Sequence, residues 1–274
     1  MTYKTVLLVL DSNQYEADLA AAAELCAAAN AHLSVFLVKV AAPSRFGDYA
    51  ALSVAWLDIR AAEFEQLDEA VETARTTLKG LDLSFDVAGE YSEPAWADDL
   101  VGERARYADV TLVGTSMDPS FRARAIEGAL FYSPCPVLLA PRRQSVTLLP
   151  KRILLAWNSS LESKRAAREA LDMMKSAESV NVVLVDPAAS RWNGHEPGAD
   201  VATYLARHGI KVTVDRLPSA GLRIDEVLNQ HAIDTSAELI VIGAYGHTRL
   251  RERIFGGVTK SMIEAPIVPV LMAR

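Results

Sequence analysis

Val6-Leu7-Leu8-Val9-Leu10-Asp11-Ser12 is answered later in the chain by Ile153-Leu154-Leu155-Ala156-Trp157-Asn158-Ser159. Each stretch is an apolar run closed by an acidic or amide residue and a serine. The echo continues on both sides. Leu33 to Val40 is matched by Val180 to Asp186, and Ala108-Asp109-Val110-Thr111-Leu112-Val113-Gly114 by Ala237-Glu238-Leu239-Ile240-Val241-Ile242-Gly243. Each half closes on a proline-led run, Pro136 to Ala140 and Pro269 to Ala273. The join, from Pro141-Arg142-Arg143 to Pro150, is polar at its start and bounded by prolines, as linkers are. A chain of 274 residues therefore reads as two related domains, residues 1–144 and 151–274.

Helix-periodic stretches separate the apolar runs. Leu19, Ala22, Cys26 and Ala29 step by three and four, as do Phe64, Leu67, Val71, Ala74 and Leu78. In the second half Ala167, Leu171 and Met174 keep that rhythm, and so do Val201, Leu205 and His208. The strand runs are continuously apolar rather than alternating, which predicts a sheet covered by helices on both faces. Strand–helix alternation then predicts an α/β fold with a doubly wound parallel sheet. Ligands of such sheets bind beyond the carboxyl ends of the strands, where the winding reverses.

Composition narrows the function classes. Half of the residues are apolar, 23% are charged and the net charge is −7. An acidic chain lacks the basic face that nucleic acid requires, so no nucleic-acid partner is expected. Met1 to Lys4 lead straight into the short run Val6 to Leu10, and no apolar stretch reaches membrane-spanning length, so neither a signal peptide nor a membrane partner is expected. Cys26 and Cys135 form no disulfide or zinc pattern and read as buried reduced thiols of a cytoplasmic protein. The five histidines, His32, His195, His208, His231 and His247, include no pair at ligand spacing; His195-Glu196 with Asp200 is the nearest approach to a metal cluster. His208 and His231 fall on apolar helix faces.

The stretch after the fourth run of the second half carries the chemistry. Gly243-Ala244-Tyr245-Gly246 is followed, nine residues on, by Gly256-Gly257-Val258, just ahead of a helical run to Glu264. Glycines there let bare backbone approach a ligand, and the free amides of a helix start favour phosphate oxygens. His247, Arg249, Arg251, Arg253 and Lys260 add positive charge nearby.

This glycine–two–glycine–nine–glycine spacing resembles the nucleotide-binding signature of the universal stress protein family, and the likeness extends over both halves. The resemblance implies a Rossmann-like, adenine nucleotide alpha-hydrolase-like fold with a five-stranded parallel sheet per half. The closing strands would pair to make an intrachain pseudo-dimer. It further implies ATP, with or without magnesium, held by Gly243, Gly246, Gly256, Gly257 and Val258. Asn158 would meet the nucleoside, and Val185 or Asp186 the adenine. Two positions depart from the family pattern. Gly257 stands where a serine or threonine is usual, removing a hydroxyl bond to a charged group that contributes about 1.5–3 kcal/mol, or roughly ten- to a hundredfold in affinity. Asn158 replaces the usual aspartate.

The first half is degenerate by the same measure. Gly114-Thr115-Ser116-Met117 leads, nine residues later, to Glu127-Gly128, so a side chain and a negative charge stand where bare amides are wanted. No ATP is expected there. The long segment from Ala41 to Leu57, with Phe46, Tyr49 and Trp56, reads as a surface flap, an interface with the other half or a ligand lid.

The leading expectation is a non-enzymatic, nucleotide-responsive stress protein that forms homodimers. The alternatives are a nucleotide-free scaffold, a binder of another small ligand, and a slow ATPase using His247 or Glu252 as base.

Overall fold

A computed structural model of the chain describes residues 3–42, 54–141, 146–187, 196–245 and 257–274, the side chains of 54 and 55 excepted. The chain falls into two compact units, Tyr3–Cys135 and Pro136–Arg274, the second also taking in the first two residues.

In the first unit the apolar runs become β1 (Thr5–Asp11), β2 (His32–Val40), β3 (Phe85–Ser92) and β4 (Val110–Val113). Between and after them lie α1 (Glu16–Ala29), α2 (Val54–Lys79), α3 (Ala97–Ala105) and α4 (Pro119–Tyr132). The strands lie in the order β3-β2-β1-β4, and every pairing among them is parallel. Val6 to Leu10 on the central strand are 2% exposed or less, as a sheet buried on both faces requires. Of the helical stripe expected on α2, Leu67, Ala74 and Leu78 are buried, whereas Phe64 is 49% exposed and stacks on Tyr91 of β3.

The second unit begins with β5 (Val137–Leu139) and continues β6 (Arg152–Ala156), α5 (Leu161–Glu169), α6 (Leu171–Ser176) and β7 (Ser179–Val185). It then runs α7 (Ala199–Arg207), β8 (Val212–Leu217), α8 (Ile224–Asp234), β9 (Leu239–Gly243), α9 (Gly257–Glu264) and β10 (Val270–Ala273). The order is β5-β10-β9-β6-β7-β8. All pairings are parallel except β5 on β10, which is antiparallel with Leu138 opposite Leu271. The α/β fold with parallel sheets expected from the sequence is present, and the two proline-led closing strands pair with each other. The last strand of the first half thus lies in the second unit, where it covers what would otherwise be the open edge of β10.

Two local expectations are corrected. The rhythm through Ala167, Leu171 and Met174 is not one helix: Ala170, at φ −85° and ψ 1°, divides it into α5 and α6. His208 is exposed at the end of α7 with its ring edge-on to Tyr204, while Val201 and Leu205 carry the buried face.

Both cysteines are free and buried, and burial pushes the Cys26 thiol up to about 12. Among the described residues no helix is long and apolar enough to cross a membrane. Among the same residues no group of three or more His, Cys, Asp or Glu could hold a metal.

Candidate functional site

The winding of the second unit reverses beside β6. The chain leaves β6 for β7 on one side and returns as β9 on the other, so the switch point lies at the carboxyl ends of β6 and β9. Asn158 stands two residues beyond β6, Val185 ends β7 with Asp186 next, Gly243 ends β9, and Gly257 and Val258 open α9. Gly246 and Gly256, together with His247, Arg249, Arg251, Glu252 and Arg253, lie outside the described residues. So do His195 and, in the first half, Phe46 and Tyr49.

Three of the described candidates also have a local task. Asn158 Oδ1 accepts the Ser160 amide at 3.2 Å, and Ser160 Oγ in turn accepts the Ser163 amide at 3.1 Å, capping α5. Asp186 adopts the left-handed conformation, φ 47°, and its carboxylate accepts the Ser219 amide at 2.9 Å. The Ser219 side chain and amide together hold that carboxyl below the usual aspartate range. Gly243 admits the first turn of α5, because a Cβ there would lie 2.4 Å from the Ser163 nitrogen and 2.5 Å from the Glu162 carbonyl carbon. At Gly257, by contrast, no described residue lies within 4 Å of an added Cβ. Lys260 directs its ammonium at Glu264, 3.8 Å away.

Two braces fix α9 against this end of the sheet. The Tyr245 amide donates to buried Thr259 Oγ1 at 3.4 Å. On α8, Asp225 is 2% exposed and accepts Ser261 Oγ of α9 at 2.6 Å and Arg223 Nε at 3.1 Å, while Arg223 Nη2 donates to Ser261 Oγ at 3.0 Å. Burial alone would raise the Asp225 carboxyl. The hydrogen bonds from Arg223 and Ser261, with the Arg223 charge, outweigh it and hold the group below the ordinary value. Sequence reading missed this triad. An aspartate in a first helical turn reads as a dipole partner, and only the packing of α8 on α9 reveals that Asp225 points inward.

The first unit treats its corresponding end differently. Gly114 follows β4 as Gly243 closes β9, and Met117, buried at 4% exposure, packs close to it. Asp118 caps α4 by accepting the Ser120 and Phe121 amides at 2.9 and 3.2 Å. Near the end of β2, buried Lys39 donates to Asn13 Oδ1 at 3.0 Å and Gln66 Oε1 at 3.1 Å. Asn13 in turn donates its side-chain amide to Asp11 Oδ1 at 2.7 Å.

Strand order, parallel pairing and the reversal beside β6 define a Rossmann-like α/β protein. The family model "Universal stress protein family" matches residues 150–274, so this second half is a universal stress protein family domain. A universal stress protein of Synechocystis sp. is 24% identical over 180 residues, a stretch longer than either half; the match covers 63% of this chain and 55% of that relative, little more than half its length. The crystal structure of a universal stress protein from Archaeoglobus fulgidus superposes with a TM-score of 0.68 at 14% identity, covering 98% of this chain and 96% of that one. A Pseudomonas aeruginosa protein of unknown function superposes at TM-score 0.57 and 16% identity, covering 99% and 92%. Both structural likenesses concern the fold.

Proposed function

We propose that the second half binds ATP or a related nucleotide and that the protein acts as a non-enzymatic, cytoplasmic regulator in a stress response, built as a tandem of residues 1–144 and 151–274. The observation that supports the reading is the gathering of Asn158, Val185, Asp186, Gly243, Gly257 and Val258 at the ends of neighbouring strands and the start of α9, at the reversal point of the sheet. Gly246 and Gly256 complete the glycine spacing on this reading. Backbone amides at the start of α9 would face the phosphates. Asn158 would bond the nucleoside, and the backbone of Val185 or Asp186 the adenine. The braces at Thr259 and Asp225 hold α9 in place for that task, and magnesium would accompany the phosphates. Homodimers are part of the proposal by family likeness.

Calorimetric titration of the full chain with ATP and magnesium tests it. One nucleotide per chain is the expected result; no binding heat, with the protein folded, would leave the second half as a scaffold without nucleotide.

A further inference from the structure

The loop after β4 in the first unit is wrapped around one of the chain's own carboxylates. Asp18, the third residue of α1, receives the Thr115 amide at 2.8 Å and the Ser116 amide at 3.1 Å on Oδ2, and Thr115 Oγ1 at 2.8 Å on Oδ1. Two successive amides and a hydroxyl converging on one anionic group are the donors an oxyanion recruits from a strand–helix loop. The carboxylate lies close: a Cβ on Gly114 would be 3.0 Å from Asp18 Oδ2.

The second unit satisfies the corresponding amides without any charge. Ala244 N donates to the Ala273 carbonyl of β10 at 2.8 Å, and Tyr245 N to Thr259 Oγ1 at 3.4 Å. The third residue of α5, packed against Gly243, is Ser163; its hydroxyl donates back to the Ser160 carbonyl at 3.0 Å.

We propose that Asp18 is a resident anion, the side chain that fills the oxyanion position of the first half and excludes phosphate-bearing ligands from it. A second anion at this loop would meet both an occupied donor set and a like charge, and like charges at contact distance disfavour one another. The chemical class excluded is the phosphate group, and the class that would enter on removal of the carboxylate is a small oxyanion. The inference rests on contacts within the first unit and stands whether or not the second half binds nucleotide.

The test uses the full chain, inorganic phosphate and the amide resonances of Thr115 and Ser116, with chloride as the control for ionic strength. In the wild type neither resonance moves with phosphate. In Asp18→Ala, which keeps a strong helix former in α1, and in Asp18→Ser, which copies Ser163, both resonances shift saturably. Their hydrogen exchange, accelerated by the substitution, slows again on adding phosphate. A saturable wild-type response at these amides would overturn the proposal whatever the variants do. So would a folded Asp18→Ala chain whose Thr115 and Ser116 ignore phosphate, since Asp18 would then be a structural tie and nothing more.

Discussion

The two halves end their fourth strands on equivalent glycines and then diverge. After Gly114 the chain recruits a carboxylate from α1; after Gly243 it uses the backbone of β10 and a threonine of α9. One solution leaves a negative charge at the switch point, and the other leaves neutral partners. Two sheets of like strand order can therefore differ in the electrostatics of one loop, because the sheet depends on apolar burial and the loop on single hydrogen-bonding groups. Function follows the loop rather than the fold.

The largest effect that could break this comparison lies in the glycines themselves. At Gly243 an added Cβ meets backbone at 2.4 and 2.5 Å, whereas at Gly114 the nearest atoms belong to the Asp18, Met117 and Leu10 side chains at 3.0 to 3.2 Å. Backbone cannot step aside as side chains can. Gly243→Ala should cost about 3 kcal/mol, the upper range for overpacking, and Gly114→Ala distinctly less. Urea unfolding of the two variants checks this. Equal losses would mean that the halves do not differ in how tightly the first helix seats on the fourth strand.

Next in size is the brace between α8 and α9. Asp225→Asn replaces a charged acceptor of two side-chain donors, and about 2 kcal/mol of stability should go with it at neutral pH. The sign of the pH dependence follows from the lowered carboxyl. Its contribution is complete above the unfolded aspartate value, near about 3.9, and disappears as pH falls through the lower folded value. The gap between wild type and Asp225→Asn should therefore be widest at neutral pH and close in acid. A gap that widened in acid would show that the carboxylate is a burden in the folded state. The measurement is unfolding free energy against pH.

How legible was this in the sequence? The strands were, because Val6 to Leu10 and Ile153 to Ala156 are apolar without interruption and burial on both sides asks for nothing else. The proline-led pattern marked the closing strands as counterparts, while their pairing was an expectation from the family resemblance. The break at Ala170 was not, since alanine favours helix and its neighbours keep the period. Asp18 and Asp225 were invisible for another reason. Each looks like an ordinary acidic residue in a first turn, and its meaning depends on a partner far along the chain, Thr115 in one case and Ser261 in the other. The spacing that singles out Gly243 gave no sign that its bare α-carbon also seats α5.

The proposed nucleotide site offers a gain rather than a loss. No described residue lies within 4 Å of a Cβ added at Gly257, so Gly257→Ser should fit among them and restore the hydroxyl common in the family. A hydrogen bond to a charged oxygen at the low end of its range gives about tenfold tighter ATP binding. The low end applies because the serine must give up rotamer freedom and leave the neighbouring helix amides. Unchanged affinity in calorimetry, with nucleotide still bound, would place the phosphates away from the start of α9.

The smallest effect separates two aspartates beside the loop after β4, one on it and one on α1. Asp118 caps α4 through Ser120 and Phe121, and those bonds, led by the Ser120 hydroxyl, keep its carboxyl below the ordinary value. Asp118→Ala should cost about 1 kcal/mol, the usual loss for a helix cap. It should leave the Thr115 and Ser116 amides as indifferent to phosphate as in the wild type, because Asp18 still occupies their donors. Both carboxylates gather two successive amides and a hydroxyl, but Asp118 ties up the start of its own helix, whereas only Asp18, reaching over from α1, holds the Thr115 and Ser116 donors. If Asp118→Ala made Thr115 and Ser116 responsive to phosphate, then net negative charge around the loop, rather than occupation by Asp18, would be what keeps anions out.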